Sequence, residues 1–142
     1  MQSTMNSAQA MVASLVDHGV DTIFGIPGAH TYKLMDALYE RRDAIRFVMT
    51  RHEQAAAYMA FGYARSSGKV GVYTCVPGPG VLNTTAALCT AFASNSPVIG
   101  LTSEIPAAEI GRGHGILHGL EIAAAIGGHG QPAGLHLRLQ RG

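Results

Sequence analysis

A doubly wound α/β fold, a parallel sheet with helices on both faces, is what the sequence predicts, and three observations predict it. Short runs such as "KVGVYTCV" and "PVIGLTS" are apolar at successive positions, as in strands buried on both faces. Segments of about ten to fifteen residues with helical apolar spacing alternate with them. Glycine, proline or a capping residue marks most of the junctions.

In chain order, Asn6 and Ser7 are both candidate N-caps for a first helix in which Met11, Val12, Leu15 and Val16 recur at helical spacing, and Gly19 can close it. "DTIFGIPG" then reads as a short strand running into a Gly/Pro turn. A second helix is expected from about Thr31 to Arg42, burying Leu34, Met35 and Leu38, followed by the strand "IRFVMT". A third helix begins near Glu53 and is capped by Gly68. The strand "KVGVYTCV" leads into a "PGPG" loop, a small-residue helix over Asn83 to Ser94, and the strand "PVIGLTS". From Ile122 to Gly142 the composition changes: acidic residues vanish and glycines and basic residues accumulate. Leu135, Leu137 and Leu139 alternate there as in one more strand, with a loosely ordered tail as the other reading.

The chain has 142 residues, a single-domain length at which about two-thirds of the unfolded surface is buried. Charged residues are only 13%, against about a quarter in an ordinary globular chain, so part of the surface is expected to face a partner. Net charge is +1, with no basic run and no stacking-aromatic pattern, which sets nucleic acid aside. Cys75 and Cys89 lack metal spacing and are expected to be buried thiols. No basic residue precedes the first apolar positions and no apolar run reaches membrane length, so the expectation is a cytoplasmic protein without a membrane association.

In a doubly wound fold ligands sit at the carboxyl ends of the strands. Here those ends carry Gly25 to His30, Thr50 to Glu53, Val76 to Gly80, and Ser103 with Glu104. Glu53 stands at the head of a stretch of small and apolar residues, and by local rules Thr50-x-x-Glu53 is a capping box. "GYARSSGKV" fails as a phosphate-binding loop, because five residues separate its glycines and Val70 stands where a hydroxyl is needed. "CVPGPGVLN" follows a strand and opens a helix, as a dinucleotide-binding turn does, with Glu104 as the acid on the next strand. Asn83 in place of the third glycine weighs against it. His114 and His118 have the spacing of a helical metal pair, but flanking glycines and the lack of a carboxylate favour a polar loop and no metal. His30 is a loop histidine at a strand end, a position where a group titrating near neutrality is useful.

Taken together, "GVDTIFGIPGAHTYKLMDAL", "RHEQAAAYMAFGYAR", "KVGVYTCVPGPGVLNTTAAL" and "PVIGLTSEIP" resemble the N-terminal, pyrimidine-binding domain of thiamine diphosphate-dependent enzymes of the acetolactate synthase and 2-oxo acid decarboxylase group. The resemblance runs from about Ala8 to His118. It assigns residues 1–120 to that domain and leaves 121–142 as a divergent tail.

The resemblance implies a lyase or transferase, a thiamine diphosphate-dependent decarboxylase and carboligase acting on a 2-oxo acid such as pyruvate. Glu53 matches the family's glutamate, which shares a proton with the aminopyrimidine ring and favours the tautomer that deprotonates the cofactor; a pocket of small residues, here Ala55, Ala56 and Ala57, raises its proton affinity. Pro27, Gly28, Pro77, Gly78, Pro79, Gly80 and Asn83 are the implied cofactor contacts, and His30 and His118 the implied substrate contacts. The family holds magnesium and diphosphate through a Gly-Asp-Gly motif in a separate domain, whereas no aspartate follows Asp43 here. The expectation is therefore a truncated chain, inactive alone, that forms a homo-oligomer or pairs with a diphosphate-binding domain. The alternative is a non-catalytic remnant or a small nucleotide- or ligand-binding α/β module.

Overall fold

The computed structural model describes residues 5–103, so Glu104, the His114/His118 pair and the tail fall outside the described residues. The elements run α1 (Ser7–Asp17), β1 (Thr22–Gly25), a 3-10 turn (Ala29–Thr31), α2 (Tyr32–Glu40), β2 (Arg46–Met49), α3 (Glu53–Ser67), β3 (Gly71–Cys75), α4 (Pro79–Ala93) and β4 (Val98–Thr102). The four strands form one parallel sheet in the order β2-β1-β3-β4. The chain thus winds outward from β1 to β2, then crosses back over β1 to β3. The expected α/β architecture is the one found, and the crossing-over creates a switch point between β1 and β3.

Alternation along the two central strands divides the core. Ile23 and Val72 point to one face, where they pack with Val12, Val20, Ala37, Leu38 and Ile45 under α1 and α2. Phe24, Tyr73 and Cys75 point to the other, against Ala56, Ala57 and Ala60 of α3 and Ala87 of α4. Both central strands are buried throughout, while β2 and β4 are half-buried or exposed. On α2, Leu38 is buried together with Ala37, whereas Leu34 and Met35 pack only from the rim.

Local chemistry explains the ends of the helices. Asn6 caps α1 through its Oδ1, which accepts from the Gln9 amide at 2.9 Å, and the Gln9 side chain returns the bond at 3.0 Å. Gly68 closes α3 with a left-handed φ of 70°. The "PGPG" segment is more than a loop: α4 begins at Pro79, four residues before the expected start. Gly78 makes the turn with φ 66° and ψ −118°, and Pro79 supplies a preset first helical residue.

α3 lies unusually close to the sheet. A Cβ on Gly71 would run into the main-chain carbonyl of Ala60, and the buried positions on this helix are all alanines, Ala56, Ala57, Ala60 and Ala64. At the amino ends of the strands, Asp21 accepts hydrogen bonds from Tyr63 Oη at 2.6 Å, Lys69 Nζ at 2.6 Å and Thr22 Oγ1 at 2.9 Å. These bonds join the α1–β1 turn to the carboxyl end of α3. The Lys69 contact, followed by those of Tyr63 and Thr22, holds the Asp21 carboxyl down to about 2.

The outer face of the helical layer is less polar than an ordinary surface. Tyr58 and Met59 on α3 and Leu82 and Phe92 on α4 are exposed, Phe92 to 85%, and α4 carries no charged residue. Cys75 is buried as expected, but Cys89 is exposed, because it lies on the side of α4 turned away from the sheet. Among the described residues no helix is long and apolar enough to cross a membrane.

Two outcomes follow. Gly71→Ala must push α3 off the sheet and should cost about 2–4 kcal/mol by chemical denaturation. Asp21→Asn should lower the melting temperature at neutral pH. Because the folded carboxyl titrates below its ordinary 3.8, the advantage of the wild type is complete above that value and should fade as pH falls toward 2. A difference between the two proteins that persists undiminished at the acid end would contradict the assignment.

Candidate functional site

The switch point opens at the carboxyl ends of β1 and β3, and three connections converge on it. Thr50, at the end of β2, donates its main-chain N–H to Gly25 O at 2.9 Å and its hydroxyl to His52 O at 3.1 Å. Those bonds bind the end of β2 to the end of β1 and set the turn into α3.

The helix starts at Glu53 itself, one residue after its cap, so the expected Thr50/Glu53 capping box does not form. His52 is the N-cap, its Nδ1 accepting from the Gln54 amide at 3.2 Å. A side chain at the first helical position projects forward from the helix end and has no geometry for reaching back to a cap at Thr50. The Glu53 carboxylate turns instead across the crevice. Its Oε2 accepts from Asn83 Nδ2 on α4 at 2.9 Å, and its Oε1 lies 3.7 Å from the place where a Cβ on Gly80 would stand.

Val76 shapes the opposite wall. A Cβ on Gly28 would strike its Cγ1, and one on Gly80 would lie 2.9 Å from its Cγ2. The valine is therefore wedged between the β1 loop and the first turn of α4, and a side chain at either glycine would force it to shift. Cys75 underlies the carboxylate. Burial, and then the negative charge of Glu53, push its thiol up to about 11 against an opposing hydrogen bond from Thr102, so it remains a neutral thiol near pH 7. α4 itself is anchored to β3 by Tyr73 Oη, which donates to Thr84 Oγ1 at 3.1 Å; burial pushes that phenol up to about 12.

Of the residues singled out from sequence, Glu53, Gly80 and Asn83 come together, with Gly28 joined to them through Val76. Pro77 and Gly78 are buried in the turn that aims α4. Pro79 is the exposed first residue of that helix. Pro27 lines a groove toward α2 and β2, beside Tyr32, Met35 and Met49. His30 is exposed in the 3-10 turn, and its side chain forms no hydrogen bond with the described residues. His118 lies outside the described residues. Ala56 and Ala57 face the sheet and Ala55 is exposed, so the alanine run sets the closeness of the helix to the sheet. Sequence reading missed Val76 and the capping role of His52. Only the alternation along β3, which carries Val76 past the buried strand, pointed to the first. Among the described residues no three His, Cys, Asp or Glu side chains gather as a metal site.

The arrangement presents an acidic oxygen at a helix N-terminus, above a neutral apolar floor and beside a wall of glycine. A carboxylate oxygen so placed can accept a hydrogen bond from a ligand at the carboxyl ends of the strands.

Comparison with known proteins bears on this geometry. The family described as thiamine pyrophosphate enzyme, N-terminal TPP binding domain, matches residues 5–125. The "Probable 2-ketoarginine decarboxylase AruI" of Pseudomonas aeruginosa is 47% identical over 117 residues, covering 82% of this chain and 21% of that protein. The "Probable acetolactate synthase large subunit" of Methanocaldococcus jannaschii is 45% identical over 107 residues, 75% of this chain and 18% of its own length. The "Acetolactate synthase isozyme 2 large subunit" of Escherichia coli is 41% identical over 107 residues, with 75% and 19% covered. The chain therefore spans about a fifth of the length of these curated relatives. On the extent of the family match, the chain belongs to the thiamine pyrophosphate enzymes, as their N-terminal TPP-binding domain.

Proposed function

We propose that this chain is the pyrimidine-binding part, residues 1–120, of an acetolactate synthase-like decarboxylase or carboligase acting on 2-oxo acids, and that Glu53 is its proton-handling residue. The observation that carries the reading is the Glu53 carboxylate at the carboxyl ends of the strands, its Oε2 held by Asn83 and its Oε1 accepting no hydrogen bond among the described residues. A carboxylate oxygen left without a partner is the group that a ring nitrogen of an aminopyrimidine would meet, so the residues present fit the cofactor.

Thiamine diphosphate, when bound, supplies the acidic carbon whose deprotonation makes a nucleophile for the carbonyl of a 2-oxo acid. The chain contributes the acid–base partner. Glu53 Oε1 would face a ring nitrogen of the bound cofactor and hold the proton shared with it. Val76 packs tightly against Gly28 and Gly80 beside the carboxylate, and the turn from Pro77 to Pro79 aims α4 so that Asn83 reaches Glu53. His30, exposed on the β1 loop, is the candidate contact for a substrate carbonyl or carboxylate. The length of the relatives supports a magnesium and diphosphate half supplied by another domain or subunit, and the exposed apolar face of α3 and α4 supports its docking here, including in a homo-oligomer.

The test is a chimaera in which residues 5–103 replace the matching segment of the full-length Pseudomonas relative, assayed with thiamine diphosphate and magnesium. Glu53→Gln should leave folding stability within about 1 kcal/mol and cut turnover and C2 hydrogen exchange of the cofactor about 100-fold or more. Unchanged exchange in that variant would refute the role of Glu53. Gly80→Ala, whose Cβ would press on Val76 Cγ2 and stand against Oε1, should weaken cofactor binding about tenfold or more while Ala substitution at exposed Leu82 does not. Equal cofactor affinities for the two variants would refute a cofactor site beside Gly80.

A further inference from the structure

The Glu53 carboxylate has competing attractions. It belongs to the first residue of α3, where unsatisfied main-chain N–H groups and the positive end of the helix dipole draw an acidic side chain back onto its own helix. It is found turned away from that helix, with Oε2 on the Asn83 amide at 2.9 Å and Oε1 toward Gly80. Gly80 and Asn83 are three residues apart on α4 and share one face of it. One turn of helix therefore packs closely beside one carboxylate oxygen and gives a donor to the other, and among the described residues Oε1 accepts no hydrogen bond.

We infer that Asn83 is a positioning residue: it occupies Oε2 of Glu53 so that Oε1 alone is presented to the ligand. The inference rests on the proposed role of Glu53 and changes what the sequence implied for Asn83, from a group touching the cofactor to one acting through the glutamate. The residue type fits the task. An amide gives the carboxylate a direction without cancelling its charge, whereas a lysine or arginine would neutralise the group that must attract a ring proton. The uncharged composition of α4 is in keeping with this.

The experiment uses this chain and the free aminopyrimidine half of thiamine, hydroxymethylpyrimidine, as probe. By NMR, one side-chain amide proton of Asn83 should shift as pH is lowered through the carboxylate range, and the shift should vanish in Glu53→Gln. A purely packing role for Asn83 gives no such titration, so a pH-independent amide overturns the inference. Probe binding, followed by chemical-shift titration, should weaken about tenfold in Glu53→Gln, and by a similar factor in Asn83→Ala and in Asn83→Asp, which keeps the shape without the donor. The double variant Glu53→Gln/Asn83→Ala should lose no more than either alone, because both changes remove one function. Additive losses would mean that Asn83 touches the ring itself and would overturn the inference. Full binding in Asn83→Ala with loss in Glu53→Gln would also overturn it while leaving the proposed function standing. Loss in Asn83→Ala with none in Glu53→Gln would overturn both.

Discussion

The contact on which the rest of the molecule depends is between a glycine and a main-chain carbonyl. Gly71 opens β3, and α3 crosses so closely over it that only hydrogen fits below Ala60. That distance sets the height of the helix above the sheet, and the stripe Ala56, Ala57, Ala60 and Ala64 maintains it along the helix. Because a helix is a stiff rod, fixing its middle and far end also fixes its first residue. Glu53 reaches α4 only because α3 lies low and pointed at the switch point, so a packing constraint in the middle of the sheet becomes a chemical one at its edge.

The two ends of the sheet handle charge in opposite ways. At the amino ends Asp21 accepts from Tyr63 and Thr22 and is paired with Lys69. At the carboxyl ends Glu53 receives a neutral amide and an apolar floor, which leaves its charge available. The first arrangement holds two segments together. The second keeps a carboxylate in place without satisfying it, the condition under which an acidic group serves chemistry better than structure.

Much of this was legible in the sequence because the periodic signals are strong. β3 read as a buried run and is one, Asn6 and Gly68 announced the ends of helices, and the alternation of elements gave the parallel sheet; "PVIGLTS" read as buried too, but β4 has only β3 beside it among the described residues and is half-buried or exposed. What could not be read depended on partners far apart in the chain. Thr50 and Glu53 match a capping box in every local respect, yet the strand end at Gly25 claims the Thr50 main-chain N–H, His52 O takes its hydroxyl, and Asn83 claims the carboxylate. The start of α4 was misjudged because two prolines and two glycines look like a loop, although Gly78 needs only one turn before Pro79 can begin a helix. Val76 carries no chemical signal at all; its importance comes from the two glycines pressed against it.

The strand order also bears on how the chain reaches this state. β1 is made early, yet it lies between β2 and β3, so Ile23 must wait for Phe47 on one side and for Val72 on the other. Parallel pairing offers no hairpin to start from, and each join closes a long loop before any sheet contact is gained. Such a topology folds slowly for its size and leaves apolar strands uncovered while it does so. A ribosome that has emitted β1 and β2 but not β3 therefore exposes one face of the future core, and the chain depends during synthesis on whatever shields that surface until Gly71 arrives beneath Ala60.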